Sequence, residues 1–235
     1  MSRLATALKR LAEGKFICPV AYPEEFDLLS EEGGRAAAEA WLEQVGLRLA
    51  RLSDEGAFFM AYAFADHEMR LAVREELRNV RSRLHLVVPV LEAIRQAQGQ
   101  DPRLQPGDTI WESEIAERVR QNAGLEQQVM ELRELPGIRT SESANDRVRR
   151  MLDYLQKEGY VVLTHPNRHG YQVTGKIEYL YGLLSEIAAN TDALSDEGVV
   201  DQMQQMRLAE QPEGVDQPDQ APQDLAPPNA EGREA

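Results

Sequence analysis

The fold of this chain is decided by residues 141–174, which read SESANDRVRRMLDYLQKEGYVVLTHPNRHGYQVT. In the first half, apolar side chains recur at helical spacing and predict one buried stripe of a helix (Val148, Met151, Leu152 and Leu155). Ser143 followed three residues later by Asp146 is typical of a helix start. Gly159 is typical of a helix end, because glycine readily adopts the left-handed conformation that closes a helix.

The second half of this stretch predicts a two-stranded hairpin. Residues 160–164 are β-branched and aromatic, residues 165–170 have turn composition, and residues 171–174 form a returning strand. A helix followed directly by a short hairpin is typical of the back half of a winged-helix module. The helix is then the candidate recognition helix, and the hairpin is the candidate wing.

Composition limits the classes of function. A chain of 235 residues has room for one or two small domains, and its net charge of −14 argues against coating DNA through a global positive field. Any DNA contact must then be local or helped by a partner. The single Cys18 cannot form an internal disulfide and fits a reducing cytosol. Neither a secretory signal nor a membrane span is expected, since the longest apolar run, 57–65, is far short of about 20 residues.

The N-terminal part of the chain predicts the same layout as residues 141–174. A short helix is expected at 2–13, an extended segment at 16–23 and a stronger helix at about 35–49. Strands are expected at 47–52 and 57–64, on either side of a turn at 53–56. These elements predict a first winged-helix module over residues 1–65.

A long helix is predicted between the two modules, from Asp66 as N-cap to a stop at Gly99, with a kink at Pro89. Its apolar residues alternate spacings of four and three, which defines a heptad seam (Val73, Leu77, Val80, Leu84, Val87, Leu91 and Ile94). Such a seam requires another helix against it, either from the same chain or from a second copy.

The remaining segments complete a second module over residues 66–190. Thr109 with Glu112 predicts a helix start with a capping box, residues 125–135 predict another helix, and residues 177–187 predict a closing helix. A weaker C-terminal helix is expected within 191–208, and residues 209–235 form a disordered acidic tail, which is either solubilising or a mimic of DNA charge. The predicted fold class is therefore mainly α with small β-hairpins (α+β), with tandem winged-helix modules and a disordered acidic C-terminal tail.

The candidate DNA-contact residues lie on the recognition helix and at the wing tip. At 100° per residue, one side of the helix carries Arg147, Arg150, Tyr154 and Lys157. The turn at the wing tip adds Arg168 and His169, and such groups can contact phosphates. Pairing of Asp146 with Arg150 and of Asp153 with Lys157 would produce the same pattern on an ordinary solvated face. The interpretation that favours function is weak DNA binding without sequence specificity.

No catalytic, metal or cofactor site is predicted. Residues 170–176 match the spacing of a phosphate-binding loop, but Ile177 stands where that loop needs Ser or Thr, and the interior alternates like a strand. His165 and His169 lie in a turn without a neighbouring Cys or acidic cluster. No nucleophile motif or paired carboxylates are recognisable, so an enzyme is not expected.

Two stretches carry a resemblance to a known family. Residues 55–62, EGAFFMAY, are similar to a Gly-aromatic first wing, and residues 148–161, VRRMLDYLQKEGYV, are similar to a second recognition helix and its following strand. Together with the long central helix and the acidic tail, they resemble the MukE/MksE family of kleisin-interacting tandem winged-helix (KITE) proteins, which are subunits of bacterial SMC condensins. The resemblance spans about residues 35–190 and the tail.

The resemblance implies a cytoplasmic, nucleoid-associated homodimer that binds a kleisin of the MukF/MksF type. Through that kleisin it would join an SMC ATPase in a MukBEF/MksBEF-like complex that loads on DNA for chromosome condensation and partition. ATP hydrolysis would belong to the partner. A Wadjet-type plasmid-defence complex uses a similar subunit, and a stand-alone winged-helix transcriptional regulator is the other alternative. The segment around 125–139 departs from the family pattern, so no kleisin-contact residues are assigned.

Overall fold

The computed structural model describes residues 2–63, 67–99, 103–137 and 143–189, with side chains except at 67–77, 79, 81, 82 and 186–189. Contacts divide the chain into two compact units, Met1–Glu186 and Ile187–Ala235. The predictions for Asp66, the 191–208 helix and the 209–235 tail lie outside the described residues. Within the described part, the protein is mainly helical with two small antiparallel sheets, as the α+β prediction required.

The N-terminal half contains three helices and a hairpin: α1 (Arg3–Ala12), α2 (Pro23–Ser30), α3 (Glu32–Glu43), β1 (Leu47–Arg51) and β2 (Phe58–Tyr62). β1 pairs antiparallel with β2. On the other side of β2, the Ile17 N–H donates to the Phe58 carbonyl at 2.8 Å and the Phe58 N–H donates to the Ile17 carbonyl at 2.9 Å. The order across this sheet is therefore Ile17, β2, β1.

The described part of the C-terminal half contains five helices and a three-stranded sheet. Its elements are α4 (His67–Gln98), β3 (Thr109–Trp111), α5 (Glu112–Gln121), α6 (Ala123–Glu131), α7 (Ala144–Glu158), β4 (Val161–His165), β5 (Gly170–Val173) and α8 (Lys176–Ala189). A short 3-10 turn, Pro166–Arg168, joins β4 to β5. The strand order is β3–β5–β4, with both pairs antiparallel. Each half thus places its first extended segment beside its last strand.

The local signals around α7 are confirmed. The Ser143 hydroxyl accepts from the Asp146 N–H at 3.2 Å, and the Ser143 N–H donates to the Asp146 carboxylate at 3.3 Å, which forms a capping box. These bonds to Ser143, with a smaller contribution from Arg149 and Arg150, lower the pKa of the Asp146 carboxyl. At the other end, Gly159 adopts φ 81°, the left-handed conformation expected of a helix stop.

The predicted helix start at Thr109 is wrong, because Thr109–Trp111 is the strand β3. Its residues pair with Gln172, Tyr171 and Gly170 of β5, and α5 begins only at Glu112, without a side-chain cap. Gly170 matters here, since a side chain at this position would collide with the Trp111 ring. β-branched and aromatic residues favour a strand, and β5 offers the free edge that they pair with.

Two predicted boundaries in the N-terminal half are also corrected. The helix expected at 35–49 is α3 and ends at Glu43, because Gly46 with φ 73° turns the chain into β1. The segment expected to be extended at 16–23 instead runs into α2, which begins at Pro23. Proline fits the first helical turn because its missing N–H has no partner there. The helices at the chain start and after the hairpin are confirmed as α1 and α8.

The second half of the α4 heptad seam packs against other elements of the same chain. Val87, Leu91 and Ile94 are buried in the larger core, together with residues from α5, α7 and the sheet, and Leu84 packs against that core. Val80 is half-buried, and the side chains of Val73 and Leu77 lie outside the described residues. α4 continues through Pro89 without interruption, and the kink stays a prediction.

The two halves meet where α8 begins. The Gly175 N–H donates to the buried Cys18 Sγ at 3.3 Å. A Cβ added to Gly175 would lie 2.8 Å from the Ala57 Cβ and 3.1 Å from the Cys18 Cβ, closer than ordinary van der Waals contact. Beside this contact, the ring of Phe16 lies 5.0 Å from the ring of Tyr179 in α8. The absence of a side chain at Gly175 is therefore what allows this close approach.

Replacing Gly175 by alanine is expected to lower the free energy of unfolding by about 1–3 kcal/mol, because the added methyl overpacks the contact with Cys18 and Ala57. Gly182 in α8 is the matched control, since a Cβ there meets nothing within 4 Å. Gly182→Ala should stabilise the helix by about 0.5–1 kcal/mol. Urea denaturation followed by circular dichroism measures both. Equal stability of the two variants would contradict the tight junction.

Candidate nucleic-acid interface

One side of α7 is buried and the other is exposed. The buried side packs Val148, Met151, Leu152 and Leu155 into the larger core. The exposed side carries charged groups of both signs (Asp146, Arg149, Arg150, Asp153 and Lys157). The helix is therefore held by its apolar stripe and presents a charged face at the surface. Arg150 and Lys157 lie on that face, as predicted.

Arg147 and Tyr154 do not lie on the exposed face, so this part of the predicted DNA-contact set is wrong. Arg147 is 4% exposed, and its Nη1 donates to the Met130 carbonyl at 2.8 Å, near the C-terminal end of α6. The Met130 carbonyl thereby gains a donor near the end of α6, where the last carbonyls have no N–H partner within the helix. Tyr154 is 8% exposed, and burial raises the pKa of its phenol. Both side chains therefore help to hold α7 against the rest of the protein.

The tip of the β4–β5 hairpin folds back onto the start of α5. The Glu112 N–H donates to the His169 carbonyl at 3.1 Å, and the His169 Nδ1 lies 3.5 Å from the Glu112 carboxylate. His169 reaches this position with φ 47°, in the left-handed region. The Arg168 guanidinium lies 4.6 Å above the centre of the Trp111 ring. Arg168 and His169 are both exposed at this tip, where the sequence placed them.

Glu112 also reaches α7. Its Oε1 lies 3.4 Å from Nε of Arg149, so one carboxylate faces both Arg149 and His169. Sequence reasoning missed Arg149, Trp111 and Glu112 as members of this surface. If the buried side of α7 is centred on Met151 and Leu155, helical spacing places Arg149 on the exposed side and Arg147 on the buried side. The sequence did not indicate that Trp111 and Glu112 lie near α7, because the helix was expected to start at Thr109 and the strand β3 was not predicted.

Exposed basic residues lie on α7 (Arg149, Arg150 and Lys157) and on the hairpin tip (Arg168 and His169). We call them together the α7–hairpin surface. Guanidinium and ammonium groups on a helix and an adjacent hairpin can pair with phosphates. Glu112 offsets part of this charge, and Asp146 and Asp153 lie on the same helix face. The arrangement is suited to modest, salt-sensitive phosphate contact.

The C-terminal end of α7 is closed by Lys176. Its Nζ donates to the Glu158 carbonyl at 2.5 Å and lies 4.6 Å from the centre of the Tyr160 ring. Burial lowers the pKa of this ammonium group, while Glu158 opposes the shift. This lysine is the last residue of the 170–176 stretch with phosphate-loop spacing. Gly170–Val173 in that stretch is the strand β5, as the alternation predicted.

Among the described residues, no three His, Cys, Asp or Glu side chains are grouped as a metal site would require. None of the helices described is both long enough and apolar enough to cross a membrane.

Comparison with known proteins defines the class of the chain. It is an accessory protein of a condensin complex, because a family model described as condensin complex protein MksE matches residues 2–183. The chain belongs to this MksE family, and the resemblance to MukE/MksE proteins is confirmed. The match covers both sheets and both buried cores. No curated protein matches the chain.

Replacing Arg147 and Arg150 separately distinguishes the buried side of α7 from its exposed side. Arg147→Ala should lower the free energy of unfolding by about 1–3 kcal/mol, because the Met130 carbonyl loses a charged donor. Arg150→Ala should change stability by less than about 0.5 kcal/mol, as is usual for an exposed side chain. Thermal unfolding of both variants measures the difference. An Arg147→Ala protein as stable as Arg150→Ala would contradict the structural role of Arg147.

Proposed function

We propose that the chain is a non-catalytic, kleisin-binding subunit of a MukBEF/MksBEF-like SMC–kleisin complex. The observation that carries this proposal is the MksE family match over residues 2–183. The kleisin, of the MukF/MksF type, connects the chain to an SMC ATPase, and ATP hydrolysis belongs to that partner. The complex loads on DNA and acts in chromosome condensation and segregation. The chain works as a homodimer in the cytoplasm, associated with the nucleoid.

In this proposal the chain is built from two winged-helix modules, with boundaries near 1–65 and 66–190. The repeated topology supports it. In each half an extended segment precedes the second helix, and the last strand lies between that segment and the preceding strand. α3 and α7 are then the corresponding recognition helices. The hairpins after them are the wings, which agrees with the helix–hairpin layout expected of this module.

The α7–hairpin surface is proposed as a weak DNA contact without sequence specificity. Exposed Arg149, Arg150, Lys157 and Arg168 support phosphate contacts, which carry no sequence information by themselves. The net charge of −14 opposes binding by the isolated chain. The contact therefore acts once the complex has brought the chain to DNA. A stand-alone regulator would need stronger phosphate neutralisation than this surface offers.

Affinity purification from the native cell tests the proposal. The tagged chain, recovered in moderate salt after nuclease treatment, is expected to bring down a kleisin and an SMC ATPase, identified by mass spectrometry. The genes that lie next to those of the kleisin and the SMC ATPase then indicate whether the complex serves chromosome maintenance or a Wadjet-type defence role. Recovery of the chain alone, with specific DNA fragments when the nuclease is omitted, would reject the proposal in favour of a transcriptional regulator.

Charge reversal on α7 tests the DNA contact. Arg150→Glu with Lys157→Glu should weaken DNA binding of the assembled complex and lower the salt slope by about one for each phosphate that is no longer neutralised. Lys9→Glu with Lys15→Glu is the matched control, because both lysines are exposed in the other half and the charge change is identical. Fluorescence anisotropy with two unrelated duplexes across a salt series measures the effect. Equally weakened binding in both variants would show that only net charge matters.

A further inference from the structure

One carboxylate lies within the basic α7–hairpin surface. Glu112 is the first residue of α5, and its side chain is 17% exposed, whereas the side chain of Arg149 that it faces is 51% exposed. The Glu112 Oε1 lies 3.4 Å from the Arg149 Nε, and its Oε2 lies 3.5 Å from the His169 Nδ1. A negative charge is therefore held between two of the basic side chains that the surface would offer to phosphates.

Groups other than the carboxylate hold Glu112 in this position. Its N–H donates to the His169 carbonyl at 3.1 Å, and the preceding residue, Trp111, pairs with Gly170 of β5. The guanidinium of Arg168 lies over the Trp111 ring. The hairpin tip and the start of α5 therefore stay joined when the charge of Glu112 is removed.

The carboxylate of Glu112 is poorly placed to stabilise the fold. Its Oε2 is buried, and no described residue donates a hydrogen bond to it. A buried carboxylate oxygen without a donor lowers stability, and an ion pair with a half-exposed arginine returns little. The start of a helix favours a carboxylate, but the exposed Glu114 supplies one in the same turn. The position of Glu112 against Arg149 therefore calls for a role other than stability.

The buried phenol of Tyr171 lies beside the same charges. Burial raises the pKa of this phenol, the carboxylates of Asp153 and Glu112 raise it further, and Arg149 acts in the opposite direction. Asp153 is exposed, so water screens its charge, whereas Glu112 is mostly buried. Of these two carboxylates, Glu112 thus acts more strongly on its neighbours.

We propose that Glu112 limits the affinity of the α7–hairpin surface for DNA, because its carboxylate competes with phosphate for Arg149. This inference rests on the DNA contact of the proposed function and assigns the residue that sets its strength. A phosphate that approaches the exposed guanidinium of Arg149 also meets the Glu112 charge. The contact then depends mainly on Arg150, Lys157 and Arg168.

A positioning role for Glu112 would have the opposite effect on DNA binding. If the carboxylate oriented Arg149 toward a phosphate, removing its charge would weaken the contact. The geometry favours competition, because an ion pair at one nitrogen of a half-exposed side chain orients the guanidinium only weakly. The negative charge, in contrast, repels a phosphate about 7 Å away in every rotamer of Arg149.

Fluorescence anisotropy of a duplex, with the full chain and with the assembled complex at about 0.1 M salt, tests this role. Glu112→Gln keeps the size of the side chain and removes its charge. It should tighten DNA binding about 3- to 10-fold and make the salt dependence steeper by about one phosphate. Glu114→Gln is the matched control, because it removes one exposed carboxylate from the same helical turn. Its affinity should change by less than about 2-fold, and both variants should melt at the same temperature.

A double-mutant cycle with Arg149→Ala separates competition from a general effect of charge. Arg149→Ala alone should weaken DNA binding, because one phosphate partner is lost. If Glu112 acts through Arg149, the gain from Glu112→Gln should disappear in the Arg149→Ala background. A gain that comes from net charge alone would persist there.

Four results would overturn the role of Glu112. They are equal affinities of Glu112→Gln and Glu114→Gln, weaker binding by Glu112→Gln than by wild type, a gain that persists in Arg149→Ala, and no DNA binding by any variant. Any of them, in a chain that still recovers the kleisin, would leave the kleisin-binding function standing. Tighter DNA binding by Glu112→Gln that depends on Arg149, in a chain that recovers no kleisin, would support this inference and reject the kleisin-binding function.

Discussion

The close approach at Gly175 is the constraint on which the described structure depends. α8 begins directly against Cys18 and Ala57, and the residues behind it, Ile177 and Leu180, are buried in the larger core. One short segment thus contacts the N-terminal half and is buried in the core of the C-terminal half. Lys176, next to it, also closes the end of α7. The start of α8 therefore links the helix that carries the basic surface to the rest of the protein.

The two halves share a topology but present different chemistry at the corresponding helix. α7 exposes arginine and lysine beside a basic hairpin tip, whereas α3 exposes Trp41 beside carboxylates. In our account α7 is suited to phosphate contact, whereas the exposed carboxylates Glu32, Glu39 and Glu43 make α3 unsuited to that role. Fold alone would not distinguish these roles, because the same framework accepts either set of exposed side chains.

Local signals made the centre of the fold predictable from sequence. The capping box at Ser143, the stop at Gly159 and the hairpin after it all depend on residues close in the chain. Non-local effects were not predictable. Thr109 and Glu112 match a helix start, but β5, about 60 residues away, pairs with Thr109–Trp111 and makes it a strand. Arginine is normally exposed, yet Arg147 is buried, where its guanidinium donates a hydrogen bond to the Met130 carbonyl.

The central claim is that this member of the MksE family acts by binding a kleisin. Isothermal titration of the purified chain with the purified kleisin, in nuclease-treated samples, tests it most directly. We predict saturable, stoichiometric binding that persists when salt is raised enough to remove DNA contact. No heat of binding and no co-migration, with both proteins folded and at high concentration, would contradict the account.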